Sequence, residues 1–248
     1  MSENGSSWPQ VENPVCIVTG AGSGVGRDTA CLMAEAGFRV VLVGRTAEKL
    51  EATVALINEE VENPPELLVK PGDLADSETC ERVVAETVEK FGRVDGLANV
   101  AGDAPLQPIG KITPEIYQRC MDINLKAVVF LTQACWPHFR KQKGGAISSV
   151  SSMASIDPFK GFNIYAAAKA GVNLFTKAVA DEGQRMGITA FAVAPGAIET
   201  PMLRQNFPEK AIPAEKTLDP IVVAGVVRDG LLRRGRFENG ETFVLASP

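Results

Sequence analysis

The 248-residue chain contains one histidine, His138. A Ser/His/Asp or Cys/His mechanism could draw on that residue alone, and a zinc site built from several histidines is excluded. Proton chemistry near neutral pH then falls to another side chain, and Tyr165 with Lys169 is the candidate pair. Spaced four apart in Tyr165-Ala-Ala-Ala-Lys169, they share one face of a helix. A phenol of ordinary pKa, about 10, is a poor acid–base catalyst at pH 7. A neighbouring ammonium stabilises the phenolate and is expected to pull that value down. Small residues (Ala166, Ala167, Ala168, Ala170, Gly171) surround the pair, as if something packs closely there. A serine-rich segment, Ser148-Ser149-Val150-Ser151-Ser152, lies just upstream.

A second cluster suits phosphate. Thr19-Gly20-Ala21-Gly22-Ser23-Gly24-Val25-Gly26 places four glycines in seven residues between an apolar run and a helical stretch. Glycines let the backbone approach a ligand, and the N–H groups and dipole of the following helix favour an anion. The spacing is neither G-x-G-x-x-G nor a P-loop, since no Gly-Lys-Ser/Thr follows. Dinucleotide-binding units that prefer NAD carry a carboxylate about 20 residues past such a turn. Here Gly44-Arg45-Thr46 stands in its place. A guanidinium can hold a 2′-phosphate in a bidentate way. The expected cofactor is therefore NADP(H) rather than NAD(H). Arg27 is read as a helix-start residue near the expected pyrophosphate rather than as a specificity determinant.

These clusters need elements that bring them together. Apolar strands are expected at 15–18, 38–43, 67–70, 94–99, 146–150, 188–194 and 242–246. Helices are expected from the glycine turn to about 36, then at 46–62, 76–91, 115–142, 163–186 and 219–232. Strands alternating with helices give repeated βαβ units. The predicted fold is α/β: a doubly wound parallel sheet of about seven strands, Rossmann-like, in a single domain. Ligands bind such sheets at the carboxyl ends of the strands. Residues 1–13 read as a disordered tail ahead of the domain at 14–248. Residues 201–217, with three prolines and mixed charge, read as a loop or lid over a substrate pocket.

Composition narrows the partners. The net charge of −5 argues against nucleic acid or an anionic membrane, both of which want a basic face. No apolar run approaches the roughly 18 residues of a membrane span. Five cysteines (16, 31, 80, 120 and 135) without a Cys-x-x-Cys pair read as free thiols in a reducing compartment, hence a cytoplasmic protein. No metal site is expected.

Together these residues resemble the short-chain dehydrogenase/reductase family over about residues 14–246. Thr19-Gly20-x-x-x-Gly24-x-Gly26 matches its cofactor turn, where Ser23 and Val25 also fall. Asp73, in Gly72-Asp73-Leu74, matches the aspartate at the adenine. Asn99-Val100-Ala101-Gly102 is similar to the family's Asn-Asn-Ala-Gly, with valine at the second position. Pro195-Gly196-Ala197-Ile198-Glu199-Thr200 matches the segment that holds the carboxamide of the nicotinamide. Asn124 matches the asparagine of the catalytic tetrad, and the family's spacing singles out Ser152, thirteen residues before Tyr165.

The resemblance implies that Ser152 holds the substrate oxygen and Tyr165 moves the proton. Lys169 binds the nicotinamide ribose, and Asn124 holds a relay water. It implies a small carbonyl or alcohol substrate and a homo-oligomer, dimer or tetramer. The substrate pocket is expected from 103–110, 153–162 and 201–217, with Pro105, Leu106, Met153, Phe159, Phe162 and Met202 as apolar lining. A 3-oxoacyl thioester or a general ketone would suit it. A non-catalytic NADP(H)-binding sensor or scaffold is the alternative on the same fold.

Overall fold

The computed structural model describes residues 11–234 and 237–248, so residues 1–10 of the predicted tail lie outside the described residues. Seven strands run β1 (Val15–Thr19), β2 (Arg39–Gly44), β3 (Leu67–Pro71), β4 (Gly96–Asn99), β5 (Gly145–Val150), β6 (Ile188–Pro195) and β7 (Thr242–Leu245). They form one sheet in the order β3-β2-β1-β4-β5-β6-β7, with every pairing parallel. Burial of β1 and of the middle of β2 on both faces explains their unbroken apolar sequences. Strand order reverses between β1 and β4, and the crevice opens there at their carboxyl ends.

Helices α1 (Gly24–Glu35), α2 (Ala47–Glu60) and α8 (Pro220–Leu231) cover one face. There Met33, Leu50, Ile57, Val223 and Leu231 pack against Val18 and Leu42. Helices α3 (Ser77–Phe91), α5 (Ala127–Gln142) and α6 (Asn163–Gly183) cover the other. Val83, Leu131, Phe139 and Val179 meet Ile17, Val41 and Leu97 on that side. Helix ends follow local chemistry. Asp76 caps α3 by accepting from the Glu78 N–H, and the helix stops at Gly92 with φ +75°.

Three expectations are corrected. The single helix expected at 115–142 is α4 (Pro114–Met121) and α5 joined by a π turn, Asp122–Lys126. A π turn inserts one residue into the helical repeat, which hydrophobic periodicity does not register. The expected loop at 201–217 contains α7 (Pro201–Asn206), capped by the Thr200 hydroxyl accepting from the Leu203 N–H, and a 3₁₀ turn at Ala214–Lys216. Proline marked the first turn of that helix rather than its absence. Strand β4 also begins at Gly96, two residues later than expected.

Candidate active site

One groove runs across the carboxyl ends of the strands. It is lined by the glycine turn, by Arg45, by Val100–Asp103, by Ser152, Tyr165 and Lys169, and by Pro195, Gly196, Ile198 and Thr200. The two clusters read separately from the sequence thus share one cavity.

The glycine turn is tightly folded. Gly20 holds φ +69° and Gly24 φ +49°, values that favour glycine. A Cβ on Gly26 would lie 2.1 Å from the Gly20 carbonyl oxygen, so the start of α1 packs directly on the turn. The Ala21 N–H donates to Val43, and the Thr53 hydroxyl donates to the Ala21 carbonyl at 2.8 Å. Arg27 donates to the Gly22 carbonyl at 3.1 Å. Ser23 heads α1 without a side-chain cap bond, and Ser23, Gly24, Val25 and Gly26 line the groove. The start of α1 therefore faces the cavity, a fit for a phosphate group.

Thr19 and Asn99 stand apart from the groove lining and act on its walls. The Thr19 hydroxyl donates to the Ala98 carbonyl and accepts from the Val100 and Ala101 N–H groups at 2.9 and 3.0 Å. It fixes the end of β4 against β1 and so positions the groove wall. Asn99 is buried and donates to the Ser149 hydroxyl, while its Oδ1 has no hydrogen-bond partner among the described residues.

At the β2 end, Arg45 and Lys49 are exposed, line the groove and form no ion pair among the described residues. Asp73 stands beside them. Gly44 is in register with Pro71, and the Gly72 N–H donates to the Gly44 carbonyl at 2.9 Å. Arg119 of α4 reaches across and pairs with Asp73 at 2.7 Å. Partial burial works to raise the Asp73 carboxyl, but the Arg119 and Ala75 hydrogen bonds outweigh it and hold the group below its ordinary value. Leu74 is buried beneath, on the groove wall. The Arg119 contact escaped sequence reading because it joins positions 46 residues apart.

At the β5 end, Tyr165 and Lys169 lie on α6 and Ser152 follows β5. Lys169 is 3% exposed and donates from Nζ to the Val150 carbonyl at 2.7 Å. Burial brings its ammonium down to about 8, against a small opposing effect of Cys120. Burial also pushes the Tyr165 phenol up to about 12, with a hydrogen bond from Ser152 opposing it and Cys120 and Asp103 adding to it. The expectation that Lys169 pulls this phenol down is corrected: desolvation dominates, and the ammonium is committed to Val150, 5.8 Å from the ring centroid.

Asn124 sits in the π turn, fully buried. Its amide donates to the Asp103 and Cys120 carbonyls at 2.7 and 2.8 Å, and its Oδ1 accepts from the Asp103 N–H. With both amide hydrogens engaged, this side chain clamps the loop after β4. Within the π turn the Ala127 N–H donates to the Asp122 carbonyl, five residues back.

The segment after β6 is held firmly. Arg204 forms an ion pair with Glu199 and donates to the Ile212 carbonyl at 2.7 Å. Asn206 donates to the Ala104 carbonyl, tying α7 to the loop after β4. Met202 joins the groove as expected. Leu106, Phe159 and Asn163 line a separate apolar hollow beside α6, and Phe162 is buried against Tyr165 and Phe207.

The arrangement matches known proteins. The sequence pattern described as short chain dehydrogenase matches residues 14–211. The 3-oxoacyl-(acyl-carrier-protein) reductase of Thermotoga maritima is 37% identical over 202 residues, covering 82% of this chain and 80% of that protein. Levodione reductase of Leifsonia aquatica is 34% identical over 221 residues, covering 89% and 79%. A crystal structure of levodione reductase superimposes with a TM-score of 0.87 at 32% identity, covering 94% of this chain and 96% of that one. An actinorhodin polyketide ketoreductase variant with NADPH gives 0.85 at 26% identity, covering 94% and 96%. With its sheet order, its glycine turn and its Ser, Tyr and Lys on one groove, the chain belongs to the short-chain dehydrogenase family.

Proposed function

We propose that the protein is an NADP(H)-dependent oxidoreductase that interconverts a carbonyl and a secondary alcohol, with Ser152, Tyr165, Lys169 and Asn124 as its working residues. The observation that carries this is the shared groove: Ser152, Tyr165 and Lys169 line the cavity that the phosphate-fitting turn opens onto. A sensor would have no use for a proton donor at that point.

The cofactor would lie along the groove, with its pyrophosphate at Gly20–Gly26 and its 2′-phosphate at Arg45 and Lys49. The segment Pro195–Thr200 and the loop Ala101–Gly102 would border its nicotinamide end. Bound there, the nicotinamide supplies or accepts the hydride. Ser152 holds the substrate oxygen by its hydroxyl. Tyr165, protonated at neutral pH with its phenol near 12, gives its proton to that oxygen as the alcohol forms. The Lys169 ammonium, held by the Val150 carbonyl, would offer its remaining hydrogens to the nicotinamide ribose. Asn124 fixes the loop after β4 through Asp103.

The protein would act on small molecules in a reducing compartment, in keeping with its five free thiols, four of them buried. No helix among the described residues is long and apolar enough to cross a membrane. A homo-oligomer fits the exposed apolar side chains Ile109, Ile156, Phe159 and Leu174. The test is fluorescence titration with NADPH and NADH, followed by turnover of a ketone panel. Tighter binding of NADPH with ketone-dependent oxidation is expected. No nucleotide binding, or binding without turnover of any ketone, would overturn the reading.

A further inference from the structure

Asp103 follows the Asn99-Val100-Ala101-Gly102 segment and lines the groove together with Ser152, Tyr165 and Met202. Among the described residues lining that groove it is the sole carboxylate. Its main chain is fixed: the N–H donates to Asn124 Oδ1 at 3.2 Å and the carbonyl accepts from Asn124 Nδ2 at 2.7 Å. Its side chain is exposed and takes part in no ion pair among the described residues. The exposed cations of the groove, Arg45 and Lys49, stand after β2 and at the start of α2, and the half-buried Arg119 of α4 is paired with Asp73. A carboxylate in no ion pair among the described residues thus stands on the groove wall that the proton donor also lines. Pro201 and Met202, also on the groove wall, are apolar, and the buried Lys169 ammonium donates to the Val150 carbonyl.

Resting on the proposed oxidoreductase reading, we propose that Asp103 selects the charge of the substrate. It favours a ketone or alcohol carrying a cationic nitrogen near the reacting carbon over a neutral one, and disfavours one carrying a carboxylate or phosphate there. The physical basis is Coulombic. A carboxylate at a half-open surface attracts a nearby cation by up to about 1 kcal/mol, roughly fivefold in kcat/KM, and repels an anion by a similar amount. The preference should weaken as salt screens it. Asp103 is also close enough to raise the Tyr165 phenol, alongside the Cys120 thiol on α4. Removing its charge should move the basic limb of the pH–rate profile toward lower pH. A role in packing alone would leave that limb in place.

The test uses three phenyl ketones that differ only in the group on the α carbon: trimethylammonium, its neutral isostere tert-butyl, and carboxymethyl. The wild-type protein should reduce them with NADPH in the order cation, neutral, anion, with steps of about fivefold. Asp103→Asn should bring the three within about twofold of one another, and Asp103→Glu should keep the order. The main-chain bonds to Asn124 do not involve the carboxylate, so both variants retain the clamp. Equal kcat/KM for the three ketones in the wild type, or an order that survives in Asp103→Asn, overturns the assignment. If NADPH does not bind and the tert-butyl ketone is not reduced, the oxidoreductase reading itself has failed. Reduction of that ketone with unmoved ratios rejects the role of Asp103 alone.

Discussion

At the β5 end of the groove Lys169 is 3% exposed, and burial sets the protonation of both it and Tyr165. At the β2 end Arg45 and Lys49 stand in solvent, and the partly exposed Asp73–Arg119 pair ties charges together. The same sheet edge therefore handles charge in two ways. In the buried end desolvation outweighs the attraction between neighbours, so reactivity follows from what is removed from water. In the exposed end solvent screens each charge, so discrimination between ligands comes from the sum of several weak interactions. Substitutions at the first end should change chemistry steeply and those at the second should change choice gradually.

The steepest effect is expected for Tyr165→Phe. It removes the hydroxyl and keeps the ring that packs on Phe162. Turnover should fall by about 10²–10⁴-fold, the usual contribution of a positioned general acid. NADPH affinity by fluorescence titration should stay within about twofold, since the hydroxyl is a small part of the contact. Retained turnover would remove Tyr165 from the chemistry and erase the contrast between the ends. The reverse pattern is expected for Arg45→Asp. A carboxylate there repels a 2′-phosphate and accepts from a ribose 2′-OH. The ratio of NADPH to NADH affinity should drop about 10- to 100-fold while kcat with saturating cofactor changes little. An unmoved ratio would mean that the exposed end does not read the phosphate.

Much of this was legible in the sequence, for reasons that differ from residue to residue. The strands announced themselves because a parallel sheet covered on both faces needs unbroken apolar runs, as at Val40–Val43. Tyr165 and Lys169 were legible because helical spacing alone puts them on one face. Arg45 was legible because β2 delivers its carboxyl end to the crevice whatever its side chains are. What escaped depends on tertiary placement. The π turn at Asn124 leaves no mark in periodicity. The Thr19 hydroxyl turned inward to β4 because three main-chain groups of that strand end needed it. The sign of the Tyr165 shift depends on how deeply α6 is buried, which spacing does not report. Asp103, read only as part of the 103–110 stretch, gained meaning once Asn124 was seen to fix it.

Lys169→Met sharpens the buried end through stability. The Lys169 ammonium, near 8 in the folded protein, lies below the ordinary lysine value of about 10.4. The folded state therefore penalises its charged form. The penalty is fully present below about pH 8 and fades as pH rises toward the unfolded value, where both states lose the proton. Methionine fills similar space without charge but leaves the Val150 carbonyl without its donor. Lys169→Met should be more stable than wild type by about 1–2 kcal/mol at pH 7 while losing activity, and its advantage should shrink from pH 8 upward. Denaturant melts at pH 6.5, 8 and 9.5 would show this. A variant less stable at every pH would mean that the hydrogen bond to Val150 outweighs desolvation.

The gentlest prediction concerns Arg119, whose side chain is 35% exposed and whose pairing with Asp73 neutralises the carboxylate beside Arg45. Arg119→Leu leaves that carboxylate bare next to the place a 2′-phosphate would occupy. Repulsion across solvent at this separation is worth less than about 1 kcal/mol, so the NADPH to NADH affinity ratio should fall by roughly threefold to fivefold. If Arg119 served only to hold α4 against the β3 end, both affinities would drop together and the ratio would stand. Asp73→Asn in the Arg119→Leu background separates the two accounts, because it removes the bare charge without restoring the contact. Recovery of the ratio with both affinities still weakened assigns Arg119 two additive roles at the exposed end. A ratio that stays low would mean that the Arg119 guanidinium itself attracts the 2′-phosphate, rather than acting through Asp73.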